Sequence, residues 1–172
     1  MPISVGNPPR LRGVAAPLRA LVRLTLAREG RRAGEIGVSL AGDELLRELN
    51  RGYRGLDRAT DVLSFHYHER DGDPVEGDIV ISLERMREQA RRFRVSPGAE
   101  LARLAVHGTL HLAGLDHRRA AERRRMRARE NAALKAGRVR IAAIDRALRT
   151  AHAAAARPGR APARERTRRR PA

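Results

Sequence analysis

Three of the chain's six histidines fall within the segment HGTLHLAGLDH, as His107, His111 and His117. On a helix, positions i and i+4 share one face with Cβ atoms about 5–6 Å apart, so His107 and His111 can present imidazoles to one ion. Gly114 permits a left-handed turn at the helix end, and His117, three residues further on, can then reach the same ion from outside the helix. Three neutral nitrogens leave a fourth coordination position open, the arrangement of a catalytic rather than a structural zinc site. The chain has no cysteine, which excludes a zinc ribbon, an iron–sulfur cluster, a disulfide framework and a Cys nucleophile.

The spacing HxxxHxxGxxH equals that of the metzincin proteases except at one position. Those enzymes carry Glu directly after the first His as general base, and here Gly108 stands there. Peptide hydrolysis would lack its proton shuttle. The nearest acid, Asp116, either orients a ligand imidazole or caps the turn. His66 and His68 share one face of a predicted strand, where an accessory metal contact competes with an ordinary surface position. His152 has no such context.

Positioning these residues requires a sheet and helices, and the pattern supplies both. Pro17 suits a first helical position, and Leu18, Leu21, Val22 and Thr25 follow on one face. EIGVSLAG alternates Ile36, Val38 and Leu40 and reads as a strand, after which Asp43 caps a short helix carrying Leu45, Leu46 and Leu49. TDVLSFHYH and GDIVIS read as two further strands, with DGDP in the loop between them. LERMREQARRF gives a helix with Met86, Ala90 and Phe93 inward, and Ser96 with Pro97 opens another through Leu101, Leu104 and His111. A last helix runs from Arg123 to Lys135 and stops at Gly137. The expected fold is α+β: a small mixed sheet of about four strands, the fourth drawn from the poorly patterned first residues, with helices packed on it and the metal site at the end of the Leu101–Leu112 helix.

Length and composition suit one domain, placed at residues 1–137, followed by a basic extension over 138–172. RVRIAAIDRALRTAH can continue as helix, but the Ala, Arg and Pro mixture from residue 153 cannot bury a face and is expected to be disordered. The formal net charge of +17 attracts polyanions, whether nucleic acid, ribosomal surfaces or anionic lipid, without specifying which. Lys135 is the only lysine, so a coding bias toward Arg accounts for part of that excess. Only four residues are aromatic, Tyr53, Phe65, Tyr67 and Phe93, which leaves little for a platform that stacks several bases. No run of 18 apolar residues exists, and MPISVGNPPRLRG lacks the order of a secretory signal. A cytoplasmic protein without membrane contact is expected.

HGTLHLAGLDH resembles the signature of the YbeY family of bacterial single-strand endoribonucleases. NRGYRGLDRATDVLSF and GDIVISLERMREQA resemble two further blocks of that family, and the likeness covers about residues 35–137. The resemblance implies that His107, His111 and His117 ligate one divalent ion, Zn2+, and that Arg54 is the basic residue at the cleft. A fixed guanidinium can meet two non-bridging oxygens of a phosphodiester as charge builds on them. Without the resemblance, Arg54 would read as an ordinary surface arginine. Asp57, Thr60 and Asp61 read as fixing the loop and capping the next strand. The resemblance further implies single-stranded RNA as substrate, work on the 3′ end of 16S rRNA, late ribosome quality control, and contact with the small ribosomal subunit, a small-subunit ribosomal protein and an Era-type GTPase.

The chain departs from the family at Leu115, where an aromatic or polar residue is usual, in LSFHYHERDGDP, which replaces an LSFP continuation, and in the extension after Gly137. The nucleophile, water or the RNA 2′-hydroxyl, is left open by these residues. Two other functions compete: a non-catalytic ribosome assembly factor with a structural metal, and a zincin-like metallopeptidase, against which Gly108 stands.

Overall fold

The computed structural model describes residues 3–67 and 72–156. Alternating and β-branched segments form four strands: β1 (Ile3–Gly6), β2 (Ala33–Ala41), β3 (Val62–His66) and β4 (Val75–Ser82). Their order in the sheet is β1-β2-β4-β3, with β1, β2 and β4 parallel and β3 antiparallel at the edge. The parallel neighbours need long crossovers, which the helices supply. These are α1 (Ala15–Arg28), α2 (Asp43–Arg54), α3 (Leu83–Phe93), α4 (Pro97–Leu112), α5 (Ala120–Ala136) and α6 (Arg138–Ala156). The α+β architecture and the mixed four-stranded sheet are as the sequence implies, with the first residues providing the fourth strand.

The register divides the sheet into two unlike faces. Val5, Val38, Ile79 and Ser64 are partners in one row, and Ser4, Gly37, Asp78 and Phe65 in the next, so the two rows point to opposite sides. The first side carries the main core. Leu18, Leu21 and Val22 of α1, Leu101, Leu104 and Leu110 of α4, and Ile144 of α6 are fully buried there with Ile36, Ile79 and Ile81. On the second side α2 packs on β3 and β4, where Leu46, Leu63 and Val80 are buried.

α4 lies at the centre and approaches the sheet closely at Gly108. A Cβ there would stand 2.7 Å from Ile79 Cγ2 and 3.1 Å from Ser64 Oγ, so only glycine lets the helix sit this near. The N-terminus of α4 is capped twice. Ser96 Oγ accepts from the Ala99 N–H at 3.1 Å, and Asp145 of α6 accepts from the Gly98 N–H at 2.7 Å and the Ser96 hydroxyl at 2.6 Å.

Several sequence expectations need correction. Phe93 is 56% exposed, because α3 ends on it and Arg94 turns left-handed, leaving the ring outside under Arg92. Leu45 is exposed, and only Leu46 of that helix's leucines is fully buried. Asp43 is the first residue of α2 rather than its cap; its carboxylate takes the Ser82 hydroxyl and the Arg85 guanidinium. α5 begins at Ala120, three residues before the expected start. After Gly137, α6 follows at once, packs on α4 and buries Ile144. Residues 153–156, expected to be disordered, close α6; the remainder of that tail lies outside the described residues.

Candidate metal centre

α4 presents His107 and His111 one turn apart near its C-terminal end. The helix stops at Ala113, and Gly114 adopts φ +92, the left-handed turn the spacing implies. The Gly114 N–H donates to His111 O at 2.9 Å and the Leu115 N–H to Leu110 O at 3.0 Å, the paired bonds that close a helix with a doubled-back chain. That reversal returns His117 to the other two imidazoles. One ring nitrogen from each histidine lies within 4.8 Å of the others, and the Nε2 atoms of His107 and His111 are 3.1 Å apart.

The donor set fits a divalent ion. From the far side the Nδ1–H of His107 donates to Glu130 Oε1 on α5, which fixes the ring and leaves Nε2 facing the cluster. Burial lowers the pKa of His111 to about 4, helped by the neighbouring His107 and His117, so this imidazole is neutral, as a ligand must be. The alternatives at Asp116 resolve toward the turn: its Oδ1 accepts from the His117 N–H at 2.7 Å and its Oδ2 pairs with Arg118 at 2.9 Å. Its pKa is lowered by that backbone hydrogen bond and by Arg118.

The histidines open into a cleft of ≈ 950 Å³ whose lining also includes Arg54, Thr60 and Asp61. Arg54 is the last residue of α2, where Gly55 at φ +66 ends the helix ahead of the loop that leads into β3. The loop is tied down at several points. Arg47 meets Asp57 with two bonds of 2.7 and 2.9 Å, buried Asn50 donates to Arg58 O at 2.8 Å, and Asp61 Oδ1 accepts from the Val62 N–H at 2.9 Å as β3 begins. Asp57 and Asp61 thus have the loop-fixing roles read from sequence. Among the described residues Arg54 has no ion-pair partner, so its guanidinium is available to a ligand. His66 also lines the cleft, whereas His68 lies outside the described residues.

Glu130 is the participant that sequence reasoning missed. It stands 23 residues from His107 on a helix whose charges otherwise face water, and no local spacing links the two. A second buried group, Glu100, is held by Arg103, which also bonds Gln89 and lies 3.9 Å from Asp61. This chain of bonds braces the Asp61 loop against α4.

Fold and cleft together define a class: an α+β protein with a three-histidine centre suited to a divalent metal, in a cleft that an arginine also lines. The chain belongs to the Endoribonuclease YbeY family, whose model matches residues 14–137. It is 49% identical to an endoribonuclease YbeY of Anaeromyxobacter sp. (strain Fw109-5) over 71% of this chain and 64% of that relative's length. It is 35% identical to the Chlorobaculum tepidum endoribonuclease YbeY over 76% of this chain and 94% of the relative. The solution structure of TM1509 from Thermotoga maritima superposes with a TM-score of 0.60 at 26% identity, covering 87% of this chain and 95% of that one.

Proposed function

We propose that this chain is a zinc-dependent endoribonuclease that cleaves single-stranded RNA. The observation that carries the reading is that Arg54, from the end of α2, and the three histidines of α4 and its following turn line one cleft. A divalent ion bound there would supply Lewis acidity toward a phosphoryl oxygen and make water more acidic. His107, His111 and His117 would hold it, with Glu130 fixing the ring of His107. Arg54 would take the non-bridging oxygens of the scissile phosphate with two parallel hydrogen bonds, strongest when charge on them peaks.

Gly108 weighs against peptide hydrolysis. It occupies the place of the glutamate base, and its contact with Ile79 and Ser64 leaves no room for a side chain. The net charge of +17 suits a polyanionic substrate. Within this reading the substrate is the 3′ region of 16S rRNA on the small ribosomal subunit, and the work belongs to rRNA processing and late ribosome quality control in the cytoplasm. A small-subunit ribosomal protein and an Era-type GTPase are the proposed protein partners. No helix among the described residues is long and apolar enough to cross a membrane.

The test is cleavage of a labelled single-stranded RNA by purified wild type, His111→Ala and Arg54→Glu, with metal content measured on each. We expect the wild type to cut, His111→Ala to lose both metal and activity, and Arg54→Glu to keep the metal but lose about 10²–10³-fold in kcat/KM. A folded, metal-loaded wild type that leaves RNA intact would make the chain an assembly factor with a structural ion.

A further inference from the structure

Three of the four aromatic residues, Tyr53, Phe65 and Tyr67, belong to the side of β3 opposite the histidines. The rings of Tyr53 and Phe65 lie 4.9 Å apart, tilted by 56°. Tyr67 follows Phe65 at the strand period, which puts it on the same side of the strand. Yet Tyr53 is 72% exposed and Tyr67 50% exposed. Rings recruited only to pack the end of α2 would be covered; the two tyrosines lie open to solvent, with Phe65 half-buried beneath Tyr53.

The patch and the cleft are built on neighbouring residues of the chain. Tyr53 directly precedes Arg54, and Phe65 stands between Ser64 and His66; Arg54, Ser64 and His66 all line the cleft. Among the described residues β3 is the edge strand, with no further strand outside it. A strand whose phosphate rests at Arg54 therefore has only that edge to round before it reaches the rings. The local charge selects which part of the nucleotide is received there. Asp78 accepts a hydrogen bond from the Tyr67 hydroxyl, and this carboxylate beside the ring favours an uncharged base over a phosphate at that end of the patch.

We propose that Tyr53, Phe65 and Tyr67 form a stacking platform for one or two unpaired nucleobases of a strand held at Arg54. This rests on the RNA reading above and adds to it: the platform would select single strands, because paired bases cannot leave their stack to reach it. Asp78 holds the Tyr67 ring in place, while Phe65 backs Tyr53.

The chain offers its own probe. Tyr53 and Tyr67 are its two tyrosines and it has no tryptophan, so ultraviolet emission reports on this patch alone. The experiment titrates metal-loaded protein with a 2′-O-methyl octanucleotide, an abasic strand with the same number of phosphates, and a duplex. We expect the octanucleotide to quench the emission and the abasic strand and duplex to leave it nearly unchanged. Tyr53→Leu should weaken octanucleotide binding about tenfold without altering affinity for the abasic strand, and Tyr53→Phe should restore it. Equal quenching by the abasic strand, or unchanged octanucleotide affinity in Tyr53→Leu, would overturn the platform. Cleavage by the same preparations is scored separately. RNA cut normally by Tyr53→Leu with unchanged KM removes the platform and leaves the nuclease standing; Tyr53-dependent binding without cleavage keeps the platform and removes the nuclease.

Discussion

Glu130 on α5 accepts the Nδ1–H of His107 on α4, so the first histidine of the metal set is oriented from behind by a helix that supplies none of the three imidazoles. The carboxylate fixes the tautomer that presents Nε2 to the ion and makes that nitrogen more basic.

Replacing Glu130 by Gln should therefore leave the helices intact and weaken the metal site. The amide remains able to accept one hydrogen bond but carries no charge to polarise the ring. We expect zinc affinity to fall by about 10–100-fold, measured by competition with a chelator, with an unchanged far-ultraviolet circular dichroism spectrum. Unaltered affinity would reduce Glu130 to packing.

Glu130 also marks where the sequence stops being informative. The His107–His111–His117 set is legible because helix period and a turn glycine place all three from local spacing alone. Glu130 depends on how α5 crosses α4, which no spacing within either helix encodes. The same limit applies to α6: RVRIAAIDRALRTAH reads as able to continue as helix but shows no packing partner, yet Asp145 and Ile144 fall on the face that meets α4. Phe93 fails for a different reason. It keeps the helical period of Met86 and Ala90, but the helix ends there and nothing lies over it. The strands were easier, since Ile36, Val38 and Leu40 alternate over a half-buried sheet and a slip of one residue would expose all three.

Acid should act on the metal-free protein through His111. Its pKa is about 4 in the folded chain against an ordinary 6.5, so between those values the unfolded chain binds a proton that the folded chain refuses. Stability contributed by this residue is present above pH 6.5 and is lost as pH falls toward 4. Thermal unfolding of the metal-free wild type should shift to lower temperature across that window, and His111→Ala should flatten the dependence. A wild type and variant with parallel profiles would place the sensitivity in other groups.

Gly108→Ala tests how closely α4 must sit on the sheet. The added methyl would stand 2.7 Å from Ile79 Cγ2, inside any ordinary contact, so the helix or the strand must shift. We expect a loss of about 1–3 kcal/mol in urea unfolding, from overpacking against a buried surface. Gly108→Glu, which writes the metzincin base into the motif, should unfold the domain rather than create a peptidase. A stable Gly108→Glu protein that hydrolyses peptide would show that only one side chain separates the two activities.

Asp145→Ala asks whether α6 belongs to the structure that holds the histidines. The carboxylate accepts from the Gly98 N–H and the Ser96 hydroxyl, satisfying donors at the start of the same helix that carries His107 and His111 at its end. Its loss strands a backbone donor in a partly buried position and withdraws negative charge from a helix N-terminus. Ser96 remains to cap Ala99, so the loss is partial. We expect the variant to be destabilised by about 1–2 kcal/mol while its zinc affinity at low temperature stays near wild type. Asn at the same position, able to accept one of the two bonds, should recover part of the difference. If Asp145→Ala unfolds at the wild-type denaturant midpoint, α6 is an appendage and α4 is held without it.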